Sequence, residues 1–306
     1  MRLAVTGGAG YIGSRLVNRL VEDGHDVIVI DNLSRGSLKP LEPLIKNRVI
    51  TLNRHDIRDV TALRDDLGGC EAVLHLAAIS RVPEAEEDFK TAFEVNVKGT
   101  ENVLKISAEH GVGKVVYASS AAVYGNLSKP ALESDQPNPI GVYGMTKLLA
   151  ERLLESYSRA YGIKCLALRI FNVYGGDGGS GVVNDYLKSI LSGQPIKIYG
   201  DGSQVRDFIH IDDVVNAFVK ALSYSGPPAF ERFNVSTGRP TKILELALKF
   251  SRLSQNPPSH ITFLDARPGD IRYSVADVGH AKKVLGFEAG VSIEGWISSR
   301  LAGGDS

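Results

Sequence analysis

Along the first half of the chain, short unbroken apolar runs alternate with stretches whose apolar residues recur every three or four positions. Runs of four to eight apolar residues bounded by turns read as buried strands, and the longer spacing reads as amphipathic helix. Residues 2–6 form the first run, and a helix pattern follows over Ser14 to Glu22 with Leu16, Val17, Leu20 and Val21 on its apolar face. Val27 to Ile30, Arg48 to Leu52, Ala72 to Leu76 and Lys114 to Ala118 repeat the strand signature. Helix patterns separate them at about 59–67 and 89–110, the second stopping at Gly111, a C′ position. A further helix opens at Tyr143, with Leu148, Leu149, Leu153, Leu154 and Tyr157 along it. Strand and helix in alternation predict an α/β domain with a parallel sheet.

After Asn172 the alternation lapses. Five glycines between Gly175 and Gly181 predict a flexible loop, followed by a helix over Val182 to Leu191 and a short strand over Pro195 to Tyr199. Helices at about 241–253, 278–285 and 292–301 close a smaller domain, with Asp277 as the expected N-cap of the penultimate one. The expected division is 1–170 and 171–306, with 206–235 returning to the first domain.

Composition narrows the class. The 306 residues are 43% hydrophobic and 23% charged, as in an ordinary globular protein. Lys plus Arg equals Asp plus Glu at 35 each, which points to neither nucleic acid nor a membrane surface as partner. Cys70 and Cys165 lie in apolar surroundings and read as buried free thiols of a reducing compartment. Seven histidines are scattered singly, so no metal is expected. The apolar run at the N-terminus is too short for a signal peptide, and a cytoplasmic location is the expectation.

Gly7-Gly8-Ala9-Gly10-Tyr11-Ile12-Gly13 sits between the first strand and the first helix, the context of a dinucleotide-binding turn. Its glycines let backbone approach a pyrophosphate, and the helix N-terminus favours the phosphates. The second strand ends in Asp31, near the spacing of a carboxylate that binds the adenosine ribose diol. A carboxylate there repels a 2′-phosphate and favours NAD; Arg35, close behind, keeps NADP open. Asp31 and Asn32 also suit a turn. Asp56-Ile57 is placed to meet an adenine edge, and Leu76-Ala77-Ala78 gives small residues where a cofactor approaches. Asn96 lies on a helix amid apolar residues, either satisfied internally or directed at the cofactor.

Ser119 and Ser120 follow the fifth strand at its carboxyl end, facing the crevice where open α/β sheets bind ligands. Four-residue spacing puts Tyr143 and Lys147 on one helix face. Lowering a tyrosine from about 10 to about 7 needs roughly 4 kcal/mol. One ammonium about 4 Å away supplies that order at an effective dielectric of about 20. Alone, the same spacing suits a surface tyrosine and lysine.

Taken together these blocks resemble the extended short-chain dehydrogenase/reductase family, in particular its nucleotide-sugar branch of NAD-dependent UDP-glucose 4-epimerases. The further blocks that carry the resemblance are Asn96-Val-Lys-Gly-Thr100, Ser119-Ser-Ala-Ala-Val-Tyr-Gly125, Tyr143-Gly-Met-Thr-Lys147, Arg169-Ile-Phe-Asn-Val-Tyr-Gly175, Gly200-Asp-Gly-Ser-Gln-Val-Arg-Asp-Phe-Ile-His210 and Arg267-Pro-Gly-Asp270. It implies a Rossmann-type parallel sheet with helices on both faces, and a smaller C-terminal α+β substrate-binding domain. Ser120, Tyr143 and Lys147 match the catalytic group. Gly7, Gly10, Tyr11, Ile12, Gly13, Asp31, Asn32, Leu33, Ser34, Arg35, Gly36, Asp56, Ile57, Leu76, Ala77, Ala78, Asn96, Ser119 and Phe171 match positions lining NAD, with Tyr143 and Lys147. Asn172, Val182, Lys197, Tyr199, Arg206, Arg267, Asp270 and Ser274 match the UDP-sugar site. Tyr199 corresponds to the aromatic that stacks on uracil, and Arg206 to a diphosphate ligand. Arg267 and Asp270 correspond to the pair that holds phosphate and ribose. Ala121-Ala122 stand where dehydratases of the family carry Asp-Glu and decarboxylases a Glu, which favours epimerisation. Ser80 departs from the lysine of some epimerases, and the loop after Tyr174 lacks the usual Pro-Arg; both leave open which sugar is used. Relatives dimerise through two long helices, so a homodimer is implied, with the helices near 89–110 and 143–161 as candidates.

Overall fold

The computed structural model describes residues 1–176, 178–227, 229–254, 261–267 and 269–303. They divide into two compact units. The first comprises Met1–Val123, Pro137–Arg169 and Val215–Phe233; the second comprises Tyr124–Gln136, Ile170–Val214 and Asn234–Ser306. Tyr124–Gln136 thus groups with the second unit, a segment that the strand-helix alternation gave no reason to separate. No helix among the described residues is long and apolar enough to cross a membrane.

The first unit is built on a seven-stranded sheet. Its strands are β1 (Arg2–Thr6), β2 (Asp26–Ile30), β3 (Ile50–Asn53), β4 (Ala72–His75), β5 (Lys114–Ser120), β6 (Lys164–Ile170) and a last strand at Phe230–Val235. Across the sheet the order is Phe230–Val235, β6, β5, β4, β1, β2, β3. β1 pairs in parallel with both β2 and β4, so the order reverses there and opens a ligand crevice at the carboxyl ends. Thr6 at the end of β1 lies in register with His75 at the end of β4. The strands read as continuous apolar runs because helices cover both faces. Ile28, Val73, Val115, Leu104 and Leu154 share one buried cluster, and burying such a side chain is worth about 1.5–3 kcal/mol.

Helix boundaries move where glycine and polar groups intervene. The first helix, Tyr11–Glu22, starts ahead of its apolar pattern because extended Gly10 already accepts Ser14 N–H. The single helix expected over 89–110 is Phe89–Phe93, a wide π-helical turn at Glu94–Gly99, and Thr100–Glu109. A Cβ on Gly99 would lie 2.5 Å from Ile57 Cδ1, so glycine lets the wide turn sit on Ile57. A short helix at Val82–Glu87, with proline in its first turn, was not foreseen.

The second unit is held by small pieces of sheet. Asn172–Tyr174 runs parallel to Phe208–His210, and Ile196–Tyr199 to Ile261–Leu264. Val205–Arg206 lies between Thr241–Lys242 and Tyr273–Ser274. Tyr174, Tyr186, Leu187, Phe250, Trp296 and Ile297 form its core. Asp277 does not cap the helix Gly279–Leu285 from the expected position: Val278 is the N-cap, and Asp277 Oδ1 accepts Gly279 N–H at 2.8 Å.

Asp207 is the buried hub of this unit. It accepts from Thr237 N and Oγ1, Gly238 N and Ala276 N at 2.6–3.2 Å, without a cationic partner among these donors. Burial pushes its carboxyl pKa up, and these hydrogen bonds oppose the rise. Asp207→Ala would strand several buried donors, each costing about 1–3 kcal/mol. Urea unfolding is expected to show a loss of about 3 kcal/mol or more, with circular dichroism of the folded baseline little changed.

Candidate active site

The glycine turn of the first unit is a cradle of backbone. Gly7 has φ +70°, and a Cβ there would lie 2.6 Å from Ala77 N. A Cβ on Gly13 would lie 2.1 Å from Gly7 O. Tyr11, Ile12 and Gly13 open a helix with neither a side-chain cap nor an acid in its first turn, so the positive end of its dipole faces the cradle uncompensated. Asp31 closes the far side: Oδ2 accepts Ala9 N–H at 2.9 Å and Oδ1 accepts Leu33 N–H at 2.8 Å. Leu33 is left-handed, φ 58°, a conformation held by this Asp31 contact and by Asn32 Oδ1 accepting Ser34 N–H. Gly36 packs on Ala9, where an added Cβ would lie only 2.9 Å from Ala9 Cβ. Arg35 is ion-paired with Glu84. Asp56 is engaged by Arg58 and by Asn32 Nδ2, and its pKa falls to about 2, chiefly through the Arg58 hydrogen bond. Ile57 is buried beneath it.

A polar thread crosses this crevice. Ala77 N–H donates to Thr6 Oγ1, which meets His75 Nδ1 at 2.6 Å. His75 Nε2 meets Thr100 Oγ1 at 2.9 Å, and that hydroxyl donates to Asn96 O. Since Thr100 spends its proton on Asn96, Nε2 carries the imidazole proton and Nδ1 accepts from Thr6. Burial, then the Lys147 charge, pushes His75 down to about 3, so it is neutral. Leu76 N–H is held by Thr6 O, and Ala78 follows half-buried. Asn96 takes the internal alternative: its amide brackets Ile79 N and O and reaches Thr146 Oγ1 at 3.0 Å. It therefore ties the Ala77-Ala78 loop to the Tyr143 helix.

That helix spans Val142–Tyr161. Gly144 brings it against the turn that follows β5, where a Cβ would stand 2.5 Å from Ala122 O. Tyr143 is thereby set beside Ser120, whose Oγ accepts Ala122 N–H at 3.2 Å. Lys147 Nζ is buried, donates to Ala118 O at 2.9 Å, and lies 4.8 Å from the Tyr117 ring centroid and 5.8 Å from that of Tyr143. The expected charge-lowered phenol is a correction. Burial raises the Tyr143 pKa, with only the Ser120 hydroxyl opposing, while Lys147 Nζ donates to Ala118 O. Lys147 is itself pushed down to about 7 by burial, with Glu151 opposing. Ser119, next to Ser120, turns its hydroxyl to Glu151.

The second unit gathers another group. On the strand Ile196–Tyr199, Lys197 and Tyr199 point outward, and Arg267 covers the Tyr199 ring at 3.7 Å. Arg206 Nη2 donates to Asp270 Oδ1 at 2.7 Å, so Asp270 pairs with Arg206. Gln204, which sequence reasoning missed, bridges Tyr199 O and Asp270 Oδ2 at 2.8 and 3.1 Å. Its position two residues before Arg206, just ahead of the strand Val205–Arg206, was the available signal. Ser274 lies in register with Arg206. Asn172 Nδ2 donates to Asp207 O, Phe171 is buried, and Val182 opens its helix against the core.

A family model described as the NAD dependent epimerase/dehydratase family matches residues 3–236. This chain belongs to that family. It is similar to a UDP-glucose 4-epimerase of Mycolicibacterium smegmatis, at 37% identity over 98% of this chain and 97% of the relative. Among solved structures it resembles the UDP-glucose 4-epimerase of Thermotoga maritima with UDP-glucose (TM-score 0.91, 35% identity, 99% of this chain and 98% of that one). It also resembles a UDP-N-acetylglucosamine 4-epimerase from Methanobrevibacter ruminantium (TM-score 0.89, 30% identity, 98% and 97%). The residues fit the dinucleotide of this family: the cradle at Gly7 and Gly13 excludes side chains, its helix dipole would favour a diphosphate, and Asp31 keeps lone pairs for a diol.

Gly144→Ala tests the approach that joins Tyr143 to Ser120. Because the contact is with backbone, the helix must shift, costing about 1–3 kcal/mol in thermal unfolding. Misplacing a catalytic group by about 1 Å costs on the order of 100-fold, so turnover is expected to fall far more than stability.

Proposed function

We propose that this family member is a UDP-glucose 4-epimerase, which inverts C4 of a UDP-hexose through a 4-keto sugar. The observation that carries the reading is Tyr143 set beside Ser120, with Ala121-Ala122 directly after that serine. Tyr143, through or beside Ser120, takes the proton from the sugar O4 and returns it to the same oxygen after the 4-keto sugar has turned over. Lys147 holds the nicotinamide ribose and brings positive charge to the site. Bound NAD supplies the reversible hydride acceptor. With alanines after Ser120, no second acid is offered at that position to expel a hydroxyl or direct a decarboxylation, so reversal is the chemistry left. Gly7, Gly13, Asp31, Asp56 and Ala77 are assigned to the dinucleotide. Tyr199, Arg206, Arg267 and Asp270 are assigned to the uridine diphosphate, where a planar guanidinium offers paired, charge-assisted hydrogen bonds.

A cytoplasmic homodimer belongs to the same reading. Met145, Leu149 and Phe89 are exposed on the helices Val142–Tyr161 and Phe89–Phe93, an apolar surface suited to a second copy.

Purified protein incubated with UDP-galactose and no added cofactor is expected to form UDP-glucose without net NADH, read by chromatography. Tyr143→Phe should lower turnover by about 10²–10⁴-fold. An untouched UDP-galactose alongside conversion of UDP-glucuronate would overturn the named sugar. Ser274, small at the position that limits the sugar pocket, leaves room for a C2 N-acetyl group. UDP-N-acetylglucosamine is therefore expected to be converted too, and no conversion beside good turnover of UDP-glucose would refute that.

A further inference from the structure

We propose that Glu151 and Arg169 are a positioning pair: Glu151, clamped by Arg169, fixes the end of β5 to the Tyr143 helix and supplies the negative charge that Lys147 faces. Their side chains are 2% and 0% exposed. Arg169 Nε donates to Glu151 Oε1 at 2.9 Å and Nη2 to Oε2 at 2.7 Å, a bidentate fork. Glu151 Oε1 also accepts the Ser119 hydroxyl. Ser119 stands between Ala118, whose carbonyl holds Lys147 Nζ, and Ser120, which lies beside Tyr143. Tyr143, Lys147 and Glu151 recur every four residues along one helix face.

A buried pair of this kind is seldom needed for stability, since apolar residues of equal volume often serve as well. Its hydrogen bonds lead instead to the residues on either side of the reacting group. Around Lys147 stand Tyr143 and Glu151 on its own helix, Tyr117 on β5, neutral His75 on β4, and Arg169 on β6 behind the carboxylate. Of these, Glu151 brings the negative charge.

The kinetic arm rests on the proposed reaction; a spectroscopic arm does not. The 13Cε resonance of Lys147 in lysine-labelled protein is assigned by its loss in Lys147→Met, then titrated. In Glu151→Gln its midpoint should fall by about one pH unit, which lowers the charged fraction tenfold above both midpoints. Turnover at about pH 8 should fall by the same order, with KM for the sugar little changed and turnover recovering at lower pH. Glu151→Asp should restore part of the midpoint. Where Glu151→Gln alone fails to fold because Arg169 is left uncompensated, Glu151→Gln combined with Arg169→Met should give a smaller fall in the same direction, because the guanidinium lost lies behind the carboxylate. A folded variant lacking the carboxylate, with the Lys147 midpoint unmoved, overturns the proposal. A shifted midpoint in a protein that turns over no UDP-sugar upholds the pair and removes only the reaction assigned above.

Discussion

Lys147, Glu151 and Arg169 are ionisable groups with almost no solvent contact in the first unit. Removing an ion from water costs several kcal/mol unless partners replace its hydration. The Glu151–Arg169 fork meets that demand for two of them, and Ala118 O together with the face of Tyr117 meets part of it for the third. Meeting it requires β5, β6 and the helix Val142–Tyr161 to stand in one arrangement, because the donors and acceptors are shared among all three. The place of Ser120 beside Tyr143 is a consequence of that arrangement. The residual deficit appears at Lys147, whose pKa burial carries down to about 7.

Close backbone approach is the second constraint, and glycine supplies it at three junctions. Gly13 folds the first helix onto the turn at Gly7, Gly99 seats the π turn on Ile57, and Gly144 sets the Tyr143 helix on Ala122 O. Gly7 and Gly144 meet backbone, which cannot swing aside as a flexible side chain can. The polar thread Thr6–His75–Thr100–Asn96 then links β1 and β4 to the π turn, and Asn96 carries the linkage on to Thr146. Cradle and Tyr143 helix are thus parts of one hydrogen-bonded body, with a neutral histidine at its centre.

The sheet was legible in the sequence because a buried parallel strand leaves an unbroken apolar run, as in Val27 to Ile30 and Ala72 to Leu74. The shared helix face of Tyr143 and Lys147 was legible from their spacing, and the place of Ser120 at a strand end from the apolar run before it. What escaped depends on distant partners. Glu151 reads locally as one more charge on a helix, and its partner Arg169 lies a strand away. Asp207 reads as a turn acid, although its donors come from Thr237, Gly238 and Ala276. Tyr124–Gln136 joins the second unit through bonds such as Asn234 N–H to Glu133 and Ala131 N–H to Val275 O. The direction of the Tyr143 shift was misjudged for a related reason: a neighbouring charge can be counted from spacing, whereas depth of burial cannot.

The cofactor preference shows how such pairings change a local reading. From sequence, Asp31 opposed a 2′-phosphate and Arg35 was available to receive one. In the structure the two oxygens of Asp31 each take one backbone N–H, which leaves acceptor capacity for a ribose diol and a negative charge toward any phosphate nearby. Arg35 is paired with Glu84, and both side chains keep solvent access. As an exposed ion pair its net stability is small, on the order of 1 kcal/mol or less. Its effect on recognition is larger than that figure implies. A phosphate drawing on Arg35 must first displace a carboxylate and then sit near two of them, so its Coulomb gain is largely cancelled. The group of Asp31, Arg35 and Glu84 carries one net negative charge, which suits an uncharged diol and disfavours a dianion. The arginine that left NADP open in the sequence therefore adds little toward it, and the balance falls to the NAD that the family's description names.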